Sequence, residues 1–216
     1  EFRRVLFRSE LISKVDLSLY AIANSCSLID FHTYKQIMKS TGLEFEDISD
    51  CSPFLLSNIE GIINSKESLI NSRKAKHFFE NELKGKVKKN CKINKKDCIE
   101  LSNENDLVID CTWNKIFLQE ELYFEPTIMF KYDNLKNLNF SLTIMDGELC
   151  SIYPYDNSSS TLSDVEFTPL GRYQSHQEAY SLINSLTDSF CRELQTKMEE
   201  KAIKYFPLFR DYFINA

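Results

Sequence analysis

The fold is decided by the stretch LNFSLTIMDGELCSIYPY, residues 138–155. Two strand-like apolar runs flank the pair Asp146-Gly147, and such a pair between two runs of this kind is a strong signal for a tight hairpin. Similar runs lie on either side, at residues 122–132 and 162–168. Because consecutive strands joined by short polar turns pair with their neighbours, the four runs predict an antiparallel sheet.

A segment without glycine or proline follows these runs, at residues 175–204. Its apolar residues recur at helical spacing and predict one long amphipathic helix that covers the sheet. The apolar stripe of this helix consists of Leu182, Ile183, Leu186, Phe190, Leu194 and Met198.

The first half of the chain mixes helices and strands. Helices are predicted at residues 31–41, with Asp30 as the cap, and from residue 71 or 72 to about 84. Strands are predicted at residues 19–23, 43–48, 58–64, 86–93, 98–101 and 106–111. The last of them contains Leu107-Val108-Ile109, an apolar run typical of a strand buried on both faces. The predicted fold class is therefore α/β combined with α+β.

The composition narrows the class of function. The chain has 216 residues, a formal net charge of −6 and no basic stripe, so nucleic acid is not an expected partner. No apolar run approaches the roughly 18 residues that suggest a membrane span. The seven cysteines form no Cys-x-x-Cys pair and the three histidines lie far apart, so the sequence predicts no metal site. Scattered cysteines of this kind predict reduced thiols in a cytoplasmic protein.

The first nine residues differ from the rest of the chain. Back-translation of residues 1–9, EFRRVLFRS, gives the end of a common sequencing-library adapter, and these residues hold three of the seven arginines. We therefore expect an internal fragment of a larger protein, in which structural reasoning begins at Glu10. The aromatic run at residues 205–213 predicts that the C-terminal end is cut as well.

The stretch Asp-Leu-Val-Ile-Asp-Cys-Thr-Trp at residues 106–113 resembles a strand-end motif of FAD-dependent oxidoreductases of the D-amino-acid oxidase type. In that family an apolar strand ends in a small-residue motif against the flavin. Residues 61–67 and the helix at residues 73–83 look like the second crossover of the family. The stretches at residues 142–147, 151–155 and 162–170 are similar to a bacterial branch of it. The resemblance spans roughly residues 20–213.

Two features of the family pattern are not found in these residues. The family has a Gly-x-Gly-x-x-Gly turn that binds the cofactor pyrophosphate. The chain has five glycines, at positions 42, 61, 85, 147 and 171, and they are too far apart to form this motif. The resemblance therefore implies that this turn lies upstream of Glu10. In addition, Trp113 stands where the family usually has glycine.

The resemblance implies roles for nine residues. The cofactor-binding candidates are Val87, Cys111, Thr112 and Trp113, and the substrate-binding candidates are Met145, Asp146, Tyr153, Tyr155 and Arg172. Tyr153 and Tyr155 share one face of a strand by the two-residue repeat, where tyrosines either line a cavity or bridge core and solvent. Arg172 is either a clamp for a substrate carboxylate or a surface arginine.

The resemblance also implies a division of the chain. Residues 1–9 are the adapter, residues 10–115 are the remainder of an FAD/NAD(P)-binding, Rossmann-like domain with part of the cap, and residues 116–216 are an antiparallel substrate domain. The implied function is hydride transfer from an amine, amino acid or similar polar small molecule to FAD. Without the glycine-rich turn, the fragment itself is expected to lack FAD and activity. The alternative is a non-catalytic α+β binding or scaffolding module.

Overall fold

The structure is a computed structural model that describes residues 11–112, 116–117, 122–136, 139–147, 149–156 and 158–215. Ten strands lie in these residues: β1 (Ile12–Lys14), β2 (Leu17–Ala23), β3 (Phe45–Asp47), β4 (Ile59–Ser65), β5 (Ser68–Ile70), β6 (Phe130–Asn134), β7 (Phe140–Met145), β8 (Cys150–Asp156), β9 (Ser159–Asp164) and β10 (Phe213–Ile214). The helices of the same residues are α1 (Phe31–Ser40), α2 (Ser72–Glu82), α3 (Lys95–Glu104), α4 (His176–Ser185), α5 (Asp188–Tyr205) and α6 (Phe209–Tyr212).

One mixed sheet contains eight of these strands, in the order β10-β6-β9-β8-β7-β2-β4-β3. Its strand pairs are antiparallel except β2 and β7, which run parallel with Leu19 opposite Leu142. β1 and β5 form a separate two-stranded antiparallel sheet. The large sheet takes strands from both halves of the chain, and the predicted division at residue 115 stays a prediction. The mixed α/β character is confirmed.

The hairpin predicted at Asp146-Gly147 is confirmed. β7 and β8 pair antiparallel, with Leu142 opposite Ile152. Asp146 adopts a φ of 70°, the left-handed conformation that aspartate tolerates better than most residues. A Cβ atom at Gly147 would clash with the backbone carbonyl of Cys26, so the loop after β2 can pass against the hairpin only because residue 147 is glycine.

The two helices predicted in the first half are confirmed as α1 and α2. Asp30 and Asn71 cap them, each accepting a hydrogen bond from the backbone N–H three residues later, at 2.7 and 3.0 Å. Gly42 and Gly85 follow the helix ends with φ of 71° and 79°, where a residue without Cβ is unstrained. None of the described helices is long and apolar enough to cross a membrane.

Two helices, α4 and α5, occupy the segment where the sequence pattern predicts one. Leu186 is extended (ψ 134°), and the Thr187 side chain accepts a hydrogen bond from the Phe190 N–H at 3.2 Å. Threonine capping of this kind starts a new helix and so competes with continuation of the first. Leu194 and Met198 are buried as the predicted stripe requires, but Phe190 is exposed.

The strand predicted at residues 98–101 is wrong, because these residues lie in α3. A capping box begins that helix: the Asn94 side chain accepts from the Asp97 N–H, and the Asp97 carboxylate accepts from the Asn94 N–H. Each side chain satisfies a backbone donor that the first helical turn leaves unpaired, and helix is therefore favoured over strand.

The strands predicted at residues 86–93 and 106–111 are also wrong for the chain as described. Leu107 and Ile109, predicted to be buried, are 74% and 71% exposed. An apolar run forms a strand only when a neighbouring strand pairs with its backbone groups. No described strand of this chain lies beside residues 106–111, so the run remains without regular structure.

One face of the large sheet packs on α5 and the C-terminal aromatic residues. This core contains Leu19, Ala21, Ile62, Leu142, Ile152, Leu162, Met198, Ala202, Tyr205, Phe206, Phe209 and Phe213. The odd-numbered residues of β2 point into this core, so its even-numbered residues point to the other face. That other face carries the candidate site.

Candidate active site

The face of the large sheet that lies opposite α5 is lined by hydroxyl groups. The parallel register places Ser18 opposite Ser141 and Tyr20 opposite Thr143. On the next strand, the Tyr153 hydroxyl lies 2.9 Å from the Thr143 hydroxyl. These five residues define what we call the hydroxyl face, which joins three neighbouring strands, β2, β7 and β8.

Two buried serines lie at one end of the hydroxyl face. Ser18 and Ser141 are 1% and 2% exposed, and their hydroxyl oxygens lie 3.1 Å apart. Ser18 also donates to a carboxylate oxygen of Glu67 at 3.3 Å. Because each buried hydroxyl has a partner, the pair is compatible with a folded interior and holds β2 and β7 together through side chains as well as backbone.

Glu67 lies on the connection between β4 and β5, at the edge of the hydroxyl face. The Tyr20 hydroxyl lies 2.8 Å from each of its two carboxylate oxygens. Hydrogen bonds to a charged acceptor are stronger than neutral ones, so this bond orders an otherwise exposed side chain. The connection after β4 is thereby tied to the middle of the sheet.

The phenols near Glu67 are held in their protonated form. Burial, together with the hydrogen bond to Glu67, raises the pKa of Tyr20 well above its usual range. Burial also raises the pKa of Tyr34 to about 12, and the negative charge of Glu67 adds to that shift. Tyr20 and Tyr34 therefore stay neutral hydrogen-bond donors at any ordinary pH.

Helix α1 covers the end of the hydroxyl face where Tyr34 lies. Phe31, Tyr34 and Met38 on this helix pack with Ile22 and Ile63 of the sheet in a second apolar cluster. The helix carries hydroxyl and apolar groups on one side, and the adjoining sheet carries hydroxyl groups and a carboxylate. The apolar side of α1 thus closes one end of the hydroxyl face.

Of the predicted substrate-binding residues, Tyr153 belongs to the hydroxyl face and Met145 is packed beside it. Met145 contacts the cluster under α1. Its carbonyl accepts a hydrogen bond from the Ser27 hydroxyl at 2.8 Å, and the Asp146 carbonyl accepts one from the Leu28 N–H at 2.7 Å. In the structure both residues hold the loop after β2, and their contact with a substrate stays a prediction.

Tyr155 and Arg172 lie apart from Tyr153. The register of β8 with β9 shifts between Pro154 and Asp156, so Tyr155 lies in a bulge; it is 56% exposed, with the Lys131 ammonium 4.8 Å from its ring centre. Arg172 stacks over the Tyr123 ring at 4.4 Å and pairs with Glu125 at 3.5 Å. These contacts of Arg172 are those of a surface arginine, and the substrate role of both residues stays a prediction.

The predicted cofactor-binding residues lie after α2 and outside the large sheet. Val87 is 53% exposed and lines a groove of about 490 Å³ with Phe79 and Leu83 of α2. Cys111 is exposed, whereas the Thr112 hydroxyl oxygen is buried and has no hydrogen-bond partner among the residues that the structure describes. Trp113 lies outside the described residues. The flavin-binding role of all four residues stays a prediction.

Sequence reasoning missed Tyr20, Tyr34, Glu67 and Thr143. The signal in β2, LSLYAIA, is the presence of Ser18 and Tyr20 on one face while the alternate positions are apolar. It was not recognisable as a site, because the pairing of β2 with β7 is parallel and long-range. No local feature of the sequence indicates that pairing.

Comparison with known proteins relates this chain to a flavin enzyme. It is 30% identical over 211 residues to the FAD-dependent monooxygenase FPY4 of Fusarium mangiferae. The aligned region covers 94% of this chain but 57% of that relative, so the chain spans little more than half of its length. No family model matches the chain. The chain is thus similar, over nearly all of its residues, to part of an FAD-dependent oxidoreductase.

Proposed function

We propose that these residues belong to an FAD-dependent oxidoreductase whose small-molecule substrate binds against the hydroxyl face. The observation that carries this proposal is the 30% identity to a flavin enzyme over 94% of the chain. The hydroxyl face is proposed as the place where the substrate binds, because its phenol and alcohol groups and the nearby carboxylate of Glu67 offer several polar contacts close together. The non-catalytic binding module has no observation in its favour beyond the polar surface itself.

In this proposal residues 71–112 are the part of the chain that approaches the cofactor. The buried Thr112 hydroxyl lacks a partner in the described residues and so has a free hydrogen-bonding capacity at the predicted flavin side. The backbone of Val87, beside its groove, is the candidate for the adenine side.

These residues fit FAD only in part. The chain contains no glycine-rich turn for the pyrophosphate, so Cys111, Thr112 and Trp113 would contact the cofactor without a phosphate-binding partner among residues 11–215. We therefore expect the chain by itself to bind FAD weakly.

The finer proposal is oxidation of an amine, amino acid or similar polar small molecule. Bound FAD would supply a two-electron acceptor: the hydride of the carbon next to the nitrogen would pass to the flavin, and the proton lost from the nitrogen would pass to solvent, which leaves an imine. The chain's own residues bind and orient: the Tyr20 and Tyr153 hydroxyls offer hydrogen bonds, and Tyr34 with α1 closes one side against water. No general base is required of the chain for this role.

Monooxygenation is the second candidate, and it is favoured by the similarity to an FAD-dependent monooxygenase. It differs in stoichiometry: one oxygen atom of O₂ enters the product, the other leaves as water, and a nicotinamide reductant supplies the two electrons. An amine oxidation of the first kind needs no such reductant. The two are separated by whether product formation depends on NADPH and whether isotopically labelled oxygen enters the product.

The experiment that tests the proposal is expression of the complete protein that contains these residues. We expect flavin absorption bands that remain with the protein through gel filtration. A folded, colourless protein that does not bind added FAD would contradict the proposal and favour the binding module. Expression of residues 10–216 alone is the matched comparison, and we expect that product to be colourless.

A further inference from the structure

Glu67 is a carboxylate whose direct partners are all neutral. Both of its oxygens receive the Tyr20 hydroxyl at 2.8 Å, and one receives the Ser18 hydroxyl at 3.3 Å. Among the residues that the structure describes, no lysine or arginine makes an ion pair with it. The adjacent Lys66 pairs with Glu44 instead. The negative charge of Glu67 is therefore ordered but not neutralised.

The surroundings of Glu67 suit a cation with a short apolar body. Tyr20 contacts Glu67 through its hydroxyl, and Tyr34 packs with Tyr20 in the cluster under α1. Aromatic rings attract ammonium groups through their electron-rich faces. The phenols cannot neutralise the carboxylate, because a neutral hydroxyl donates a hydrogen bond without supplying charge. A positively charged ligand group would complete the set of contacts.

We infer that Glu67 binds the ammonium group of the substrate and so selects amines over their hydroxyl counterparts. The inference rests on the proposed function, because it assigns a role within the same substrate site. Glu67 is a positioning and specificity residue in this account: it binds the protonated amine, and no proton transfer is assigned to it. Tyr20 and Ser18 hold the carboxylate in place by the hydrogen bonds given above.

The test compares two probes that differ in one group. Each pair has an ammonium member and a hydroxyl member: alanine and lactate, each in both enantiomers, form the first pair, and benzylamine and benzyl alcohol form the second. All are titrated into the complete flavin-containing protein. Binding is measured by the change in flavin absorption. We expect Glu67→Gln to lower the affinity for the ammonium member of a pair by about tenfold to a hundredfold, because hydrogen bonds to charged groups contribute about 1.5–3 kcal/mol. The hydroxyl member should bind as before.

Three variants make the result specific: Glu67→Gln, Glu200→Gln and Glu67→Asp. Glutamine at position 67 keeps an oxygen acceptor for Tyr20 and Ser18, so the fold and the flavin content should be unchanged. Glu200→Gln removes the same charge from the exposed surface of α5, behind the opposite face, and should leave both affinities unchanged. Glu67→Asp keeps the charge and should retain part of the preference for amines.

Three results would overturn the inference. One is a wild-type protein without preference for the ammonium probes, and another is a Glu67→Gln variant that keeps that preference. A third is an equal loss for the ammonium and hydroxyl probes, which indicates a purely structural role. A colourless wild-type protein that ignores FAD would overturn the proposed function and this inference with it. A yellow protein with any of the three results overturns the inference alone.

Discussion

Lys201 on α5 places its ammonium 3.0 Å from a carboxylate oxygen of Asp164, at the end of β9, where the Asp164 side chain has no solvent exposure. The same oxygen accepts the backbone N–H groups of Glu166 and Phe167 at 2.9 and 3.1 Å. Lys201 also pairs with Glu166 at 2.8 Å. One lysine therefore connects the helix that covers the apolar face to the turn that ends the sheet strand.

Replacement of Lys201 should destabilise the fold strongly. Lys201→Met leaves the Asp164 charge buried without its cation, and loss of one partner of a buried pair costs about 3–5 kcal/mol. Lys197→Met, one turn earlier on the same helix, removes only an exposed pair with Glu193 and should cost less than about 1 kcal/mol. Urea unfolding of both variants measures the difference. If both variants lose the same free energy of unfolding, the buried Lys201–Asp164 pair contributes no more to stability than the exposed Lys197–Glu193 pair.

The hairpin turn should not tolerate a side chain at position 147. Gly147→Ala drives a Cβ atom into the Cys26 carbonyl, and because the obstacle is backbone, the loop after β2 must move. We expect a loss of about 1–3 kcal/mol in the free energy of unfolding, as for other overpacked sites. Ser189→Ala, on the exposed surface of α5, is the control and should change stability by less than about 0.5 kcal/mol. An unaffected melting temperature for Gly147→Ala would contradict the described turn.

Acid should weaken the β8–β9 turn through Asp156. The Ser159 hydroxyl and the Ser158 backbone N–H donate to its carboxylate and lower its pKa to about 2. A lowered folded-state pKa stabilises the protein at pH values above the unfolded-state value of about 3.9, and this contribution is lost as the pH falls toward 2. The stability difference between wild type and Asp156→Asn should therefore shrink between about pH 5 and pH 2. A stability difference that stays constant over this pH range would contradict the described contacts of Asp156.

The Tyr20 hydroxyl should contribute to ligand binding through Glu67. Tyr20→Phe keeps the ring but removes the donor at 2.8 Å, so the Glu67 carboxylate keeps only the longer bond from Ser18, at 3.3 Å. We expect a loss of about 0.5–1.5 kcal/mol in stability and a severalfold weaker affinity for ammonium probes. Tyr180→Phe is the matched control, because Tyr180 lies on α4, outside the hydroxyl face, and is 55% exposed. If the two variants behave alike in flavin titrations, the Tyr20–Glu67 contact has no role in binding.

Thr112 should matter for FAD and not for the stability of the apoprotein. Thr112→Val is nearly isosteric and removes a hydroxyl whose oxygen is buried without a partner in the described residues, so the apoprotein should be as stable as before. In the complete protein we expect weaker FAD binding, measured by fluorescence titration of the apoprotein. Thr127→Val, at an exposed position, should leave FAD affinity unchanged. Unaltered FAD binding by Thr112→Val would remove Thr112 from the cofactor site.

Local chemistry was predictable from the sequence. Asp30 and Asn71 mark the starts of α1 and α2, and Asp146-Gly147 marks the hairpin, because caps and turns depend on residues that are close in the chain. The break at Thr187 was also encoded locally, but the helical stripe on both sides of it was a stronger signal. The capping box at Asn94 was local too, but the residues on both sides of it were predicted as strands.

Long-range pairing was not predictable in the same way. Ser18 and Ser141 are 123 residues apart, and the hydroxyl face exists only because β2 and β7 pair in parallel. Tyr153 was predicted as a site residue because its strand is clear in the sequence. Tyr20 and Glu67 stand out only through the hydrogen bond between them, which the sequence does not show. Residues 106–111 show the opposite error: the apolar pattern is typical of a buried strand, but burial also requires neighbouring strands, which no pattern within the run can supply.

Anaerobic mixing of the complete protein with primary amines and amino acids, without any nicotinamide cofactor, tests the central claim most directly. The measurement is the visible absorption of the bound flavin. We predict that at least one amine bleaches the flavin bands and that the matched alcohol or hydroxy acid does so less effectively. Flavin bands that no amine bleaches, in a protein whose flavin NADPH reduces, would contradict amine oxidation and support monooxygenation instead.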